Sequence, residues 1–242
     1  MARIWKRLLC AALMLALMGV ASAEGKVVRL GDYRAIAPEM PEIEVEEAEV
    51  DAEIEFMLSL YARPGAPAPE LTDEFAREKL GSESAAAYRE RLRGIIREEK
   101  TEAALQSEKE RFMNELIELS ELELDESALD ELAAGYRAVY EGYAQQAGTD
   151  WQGFCEEYFG MSVAEFEAAL REQAKYALSS KLLLAALAED MGVQIQAEAF
   201  QSWRDSFQEA YGLSDEELRQ RYPDEELERI YLESRVWEAL LD

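Results

Sequence analysis

The sequence predicts a mainly α-helical fold of elongated helical hairpins or arms, with a short N-terminal β element. Three observations carry this. Apolar residues recur at three-four spacing over several long stretches. Ser162-x-x-Glu165, Thr149-x-x-Gln152 and Ser214-x-x-Glu217 have the spacing of helix-opening capping boxes, and Gly148 and Gly192 stand where helices stop. The only β-like stretch is Val27–Met40, where Val27, Val28 and Leu30 precede Gly31-Asp32, and Ile36 precedes Pro38. It reads as one or two short strands with a turn.

The elements follow in chain order. Glu46–Tyr61 is a helix with Val50, Ile54, Met57, Leu58 and Tyr61 on one stripe. Ala62–Glu70 holds three prolines and a glycine, a semi-rigid linker. Ser84–Leu119 reads as one helix, roughly 54 Å long at 1.5 Å per residue. Tyr88, Leu92, Ile95 and Ile96 form an apolar face at its start, and Phe112, Met113, Leu116 and Leu119 another at its end. Nine of the fifteen residues Arg97–Arg111 between them are charged, the pattern of a solvent-bridging waist. Leu122–Asp125 turns the chain. Asp125 suits the N-cap of a helix over Glu126–Ala147, striped by Leu129, Leu132, Ala133, Tyr136, Val139, Tyr140 and Tyr143. A short segment, Asp150–Phe159, leads to a helix of about 30 residues within Gly160–Ile195. Its half Lys181–Ala188 is apolar nearly all round and therefore expected to be buried by other helices. Ala197–Tyr211 is amphipathic through Phe200, Trp203, Phe207 and Tyr211. Ser214 opens a short helix that Pro223 stops, and Asp224–Leu241 closes the chain.

Composition narrows the function. Residues 1–23 read as a secretory signal peptide: Arg3, Lys6 and Arg7, the apolar run Leu8–Val20, then Ala21-Ser22-Ala23 as the cleavage site. The expected location is secreted, or periplasmic and cell-envelope, with no membrane insertion after cleavage. Three of the 25 Lys+Arg and none of the 52 Asp+Glu lie in that segment, so the remainder carries 22 basic against 52 acidic residues, net −30. Such charge argues against nucleic acid as a partner. It suits a protein that keeps apolar surface in water without self-associating. The chain has no histidine, which removes His-dependent catalysis and most zinc sites. No phosphate loop or EF-hand is found, and Glu44–Glu49 reads as solvated helix surface. No catalytic residue, metal site or cofactor is expected. Cys155 remains alone after cleavage and reads as a buried structural thiol.

A family resemblance rests on particular residues. Gly160-Met161-Ser162 with Glu165-Phe166, the run Arg171–Lys175, Leu182–Glu189 and the stop Gly192-Val193 resemble the C-terminal chaperone domain of trigger factor. So do Leu30–Ile36, LGDYRAI, followed by Pro41–Val45, and the later Thr72–Ala76. Chaperone domains of the SurA and PrsA kind are similar. The resemblance continues through Glu46–Tyr61; in trigger factor an FKBP-like isomerase domain lies between that helix and the counterpart of Thr72–Ala76, and here only about ten residues separate them. The ribosome-binding domain has no counterpart either, so no ribosome contact is expected. The resulting division is 1–23 signal peptide; 24–61 β element and first helix of the chaperone domain; 62–71 proline-rich linker in place of an isomerase; 72–242 helical chaperone domain.

The resemblance implies a non-enzymatic, ATP-independent holdase that binds unfolded or partly folded client polypeptides through an exposed apolar and aromatic cradle. The candidate contacts are Tyr136, Tyr140, Tyr143, Trp151, Phe154, Tyr158 and Phe159, seven aromatics in 24 residues, with Met161 beside them. Of these, Tyr140, Tyr143, Trp151 and Phe159 flank the turns at the hairpin end, where least cover is expected. Helical spacing equally fits a hairpin core. Two other readings stay open: a helical extracellular binding module for one specific partner, and a peptidyl-prolyl isomerase, for which the chain lacks the length.

Overall fold

The computed structural model describes residues 25–63, 65 and 67–241; the expected signal peptide lies outside them, as do Pro64 and Ala66 of the linker. Nine α-helices and one two-stranded antiparallel sheet are present among the described residues. In order these are β1 (Gly25–Arg29), a 3-10 turn (Tyr33–Ile36), α1 (Glu47–Ser59), α2 (Asp73–Leu80), α3 (Ala85–Leu119), β2 (Glu121–Leu124), α4 (Glu126–Ala147), α5 (Trp151–Phe154), which continues into a π-turn (Cys155–Phe159), α6 (Val163–Asp190), α7 (Ala197–Tyr211), α8 (Asp215–Arg221) and α9 (Asp224–Leu241). No described helix is long and apolar enough to cross a membrane. The described residues divide into two compact units, one within Pro38–Phe112 and the other formed by 25–37 with 113–241.

In the first unit α1 buries Val50, Ile54 and Leu58 against Tyr88 and Ile96 of α3, with Phe75 and Leu80 of α2 packed beside them. Thr72 caps α2, its hydroxyl accepting from Phe75 N at 3.1 Å. Tyr61 and Phe75 meet edge to face at 5.2 Å, so the two ends of the proline linker lie side by side. The charged waist of α3 is not bare, as its composition suggested. Lys100 Nζ donates to Glu44 O at 2.5 Å and pairs with Glu49 at 3.0 Å, and Glu39 N donates to Glu108 at 3.0 Å. The extended segment before α1 is thus held along the waist by charge-assisted bonds, which no hydrophobic pattern announces. The Arg111 guanidinium, and then the Glu39 N–H, hold the Glu108 carboxyl down at about 2, from an ordinary 4.5. A depressed carboxylate stabilises the fold above its unfolded pKa and loses that contribution as pH falls through its folded one. The difference in melting temperature between wild type and Glu108→Gln should therefore be full at pH 7 and vanish between about pH 4.5 and pH 2.

In the second unit α6 is the central element. Its capping box forms as predicted: Ser162 N donates to the Glu165 carboxylate at 2.8 Å, and Glu165 N to Ser162 Oγ at 3.3 Å. Phe166, Leu170, Ala174 and Leu178 pack on Ala128, Leu129 and Tyr136 of α4. Farther along, Leu183, Leu184, Leu187 and Ala188 are buried, and α9 packs on the same helix with Leu227, Tyr231 and Val236 inside. The apolar half is thereby covered on that face, while Ala185 stays exposed and Leu182 and Ala186 half-buried, so burial is not all-round as expected.

The β element differs from a local turn. β1 pairs with β2, Val27 opposite Leu122 and Lys26 opposite Glu123, with a bulge between Val27 and Arg29. Lys26 and Glu123 form an ion pair at 2.8 Å. Of Leu122–Asp125, expected only to turn the chain, the first three residues belong instead to the partner strand Glu121–Leu124, and both strands lie on α6. The motif after β1 then acquires a physical reason. Gly31 N donates to Ser120 Oγ at 2.9 Å, and a Cβ at Gly31 would stand 2.7 Å from Leu119 Cβ. Tyr33 Oη donates to Asp190 at 2.7 Å, Arg34 pairs with the same carboxylate at 2.9 Å and its guanidinium lies 4.4 Å over the Tyr33 ring. These contacts fasten the N-terminal segment to the ends of α3 and α6.

Candidate client-binding surface

The predicted aromatic segment is the corner between α4 and α6. α4 starts at Asp125, whose carboxylate accepts from Ala128 N at 2.9 Å, and stops at Gly148, φ 72°. The next cap is carried by Asp150, accepting from Gly153 N at 2.7 Å, and not by Thr149 as the spacing suggested. A carboxylate one residue later meets the same orphan donors and wins the position. The π-turn that follows ends at Gly160, φ 68°, and delivers the chain to Ser162.

Phe166 supplies the cover that the local sequence does not reveal. Its ring lies 4.5 Å from Phe159, 5.3 Å from Tyr140 and 5.4 Å from Trp151. Tyr136 and Phe154 are buried, 5% and 2% exposed. Tyr140, Tyr143, Trp151 and Phe159 are half-buried, with Tyr140 and Tyr143 edge to face at 6.2 Å. Arg137 lies over the Trp151 ring at 5.6 Å and pairs with Glu141 and Glu167. Tyr158 and Met161 are exposed, 48% and 38%. Tyr158 stacks on Phe154 at 4.9 Å. The eight predicted residues thus gather at one corner, two as core, four as its shoulder and two as surface. Cys155 is fully buried, and burial pushes its thiol up, which leaves it unreactive.

A second aromatic surface lies on α7. Its apolar periodicity is legible in the sequence; in the structure Phe200, Trp203 and Phe207 are half-buried and Tyr211 is exposed. α7 has no buried residue. Its rings instead form a ladder: Phe200 on Trp203 at 6.0 Å, Trp203 on Phe207 at 5.1 Å and Phe207 on Tyr211 at 4.6 Å. Tyr231 of α9 braces Phe200 and Trp203 at 5.4 and 5.5 Å, and Tyr222 braces Phe207 at 5.4 Å. Tyr211 at the free end is 56% exposed. No group of histidine, cysteine or carboxylate residues that could hold a metal ion is present among the described residues.

Both surfaces offer packed aromatic rings with part of their area in solvent. Such faces gain roughly 25 cal/mol per Å² of apolar area covered, without sequence-specific hydrogen bonds.

The chain has recognisable relatives among known proteins. Residues 84–242 match the family model described as bacterial trigger factor protein C-terminus. Trigger factor of Agathobacter rectalis is 23% identical over 175 residues, covering 71% of this chain and 39% of the relative. A trigger factor of Thermus thermophilus is 28% identical over 180 residues, covering 71% and 44%. The chain therefore spans about two-fifths of the length of these relatives. A trigger factor chaperone solved in work on its promiscuous substrate recognition aligns with 90% of this chain and 72% of its own, with TM-score 0.48 and 16% identity. With the family model covering residues 84–242, the chain belongs to the bacterial trigger factor C-terminus family.

Proposed function

We propose that this protein is an exported, ATP-independent holdase that binds unfolded or partly folded polypeptides through exposed aromatic faces. The observation that carries the reading is α7, a helix with four aromatic residues and none of its residues buried. Tyr158 and Met161 at the α4–α6 corner extend the client surface, on the shoulder formed by Tyr140, Tyr143, Trp151 and Phe159. The excess of 52 acidic over 25 basic residues keeps such a surface soluble by mutual repulsion. Family membership supports a chaperone role, and the short linker between Tyr61 and Thr72 leaves no room for an isomerase pocket.

The test is light scattering from two unrelated, chemically denatured proteins diluted out of guanidinium. Near-equimolar chaperone should delay aggregation of both. Delay of one alone would favour the specific binding module, and delay of neither would remove the holdase reading. Proline isomerisation in a short peptide should stay at its uncatalysed rate; acceleration abolished by a point substitution would make the chain an enzyme. Export and cleavage after Ala23 predict a secreted form whose N-terminus is Glu24, read by mass spectrometry. A retained or lipid-modified chain would contradict that.

A further inference from the structure

The passage from α6 to α7 borders a cleft that the aromatic faces do not account for. Gly192, φ 69°, ends the helix turn, and Val193 N donates to Ala188 O at 2.8 Å. From there Val193–Gln196 runs without regular structure to the start of α7. Gln196 is extended, φ −96° and ψ 120°, and its carbonyl accepts from Phe200 N at 2.8 Å. Between these two closures, Gln194 and Ile195 are solvent-exposed, and their backbone N–H groups donate no hydrogen bond among the described residues. Val193 and Ile195 alternate with Gln194, the pattern of a strand. Val193, Gln194 and Gln196 of this segment line one side of a cleft of about 470 Å³ whose lining also includes Trp203, Tyr231 and the ion pair of Arg235 with Glu238. That volume is in the range of about 300–1,000 Å³ typical of ligand sites. The lining mixes main chain, charge and ring, so it is not a purely apolar groove.

An extended backbone with free donors is a template for another extended backbone. Strand addition recognises its ligand by main-chain hydrogen bonds and by pockets for alternate side chains. The cleft offers both: Val193, Gln194 and Gln196 on its wall, with the Gln194 N–H unbonded among the described residues, and beside them the rings of Trp203 and Tyr231. A folded partner hides its main chain in its own ladders. An unfolded chain presents both at once.

We propose that this cleft binds a short extended segment of an unfolded polypeptide, its main chain pairing with Val193–Gln196 as an added strand and one apolar side chain lying against Trp203 and Tyr231. The inference rests on the holdase reading and names how one client segment is gripped. It gives the protein a main-chain contact indifferent to client sequence, next to a ladder that selects only for apolar side chains.

The probe is a fluorescently labelled eight-residue peptide of alternating valine and threonine with one central phenylalanine, titrated onto the full chain by anisotropy. Its twin, N-methylated at the four central amides, has the same side chains and cannot donate there. The twin should bind about tenfold more weakly or worse, since each net hydrogen bond is worth roughly two- to tenfold in affinity. Only alternate residues of a strand bond to a given neighbour. Hence one of Gln194→Pro and Ile195→Pro should weaken the parent peptide roughly two- to tenfold, and the other should not. Equal binding of the twin overturns the proposal. So does equal behaviour of the two proline variants, whether both bind as wild type or both lose affinity with unchanged circular dichroism. The holdase reading fails separately, in the absence of any delay of client aggregation by wild type.

Discussion

Replacing Phe166 by alanine should lower stability by about 3–5 kcal/mol, the cost of truncating a buried aromatic ring. Phe166 is buried, and Tyr140, Trp151 and Phe159 all lie against it. Its loss leaves a cavity that α4, the π-turn and α6 cannot all close on, because each ring also packs on a second neighbour. Against a total of about 5–15 kcal/mol for a typical domain, this is a large fraction. Denaturant unfolding followed by circular dichroism should show the midpoint falling well below wild type. A loss under about 1 kcal/mol would mean that the corner is not a packed core.

The triple substitution Tyr158→Ser, Met161→Ser and Tyr211→Ser should have the opposite profile. All three side chains are exposed, and none lies in the interior of the ring clusters. Loss of the Phe154–Tyr158 and Phe207–Tyr211 stacks should cost about 0.5–1.5 kcal/mol each. The melting temperature should therefore fall less than for Phe166→Ala, while the chaperone needed to halve client aggregation should rise several-fold. Each lost side chain removes apolar area that a client would otherwise cover, at roughly 25 cal/mol per Å². Unchanged holding would move the client surface away from both the corner and α7.

The difference between these two experiments separates what local sequence could tell from what it could not. Helix ends were legible because caps are local. Asp125, Ser162 and Ser214 act at the positions their spacing gave, and Gly148 and Gly192 take up the left-handed conformation that ends a helix. Asp150 displaced Thr149 because two capping oxygens stood one residue apart and only geometry could choose. The strand at 121–124 was not legible, since its partner lies before α1 and pairing across such a separation leaves no periodic trace.

At the candidate site, composition gathered the right segment but could not rank its members. Phe154 and Tyr158 are four residues apart and stacked on each other, yet one is core and the other surface. The π-turn and the arrival of Phe166 from α6 decide that. The Phe200–Tyr211 stripe is amphipathic by its spacing, but its half-burial depends on Tyr231 and Tyr222, which reach it from later in the chain.

Contact of unfolded polypeptides with the corner of α4 and α6 and with the ladder of α7 is tested most directly by photo-crosslinking. A benzophenone amino acid is placed singly at Tyr158, at Tyr211 and, as control, at exposed Glu131. Incubation with a reduced, permanently unfolded protein should give strong adducts from the first two positions and little from Glu131, and the same protein in its native form should give none. Equal adducts from all three positions, or capture of native and unfolded forms alike, would contradict client binding at these faces.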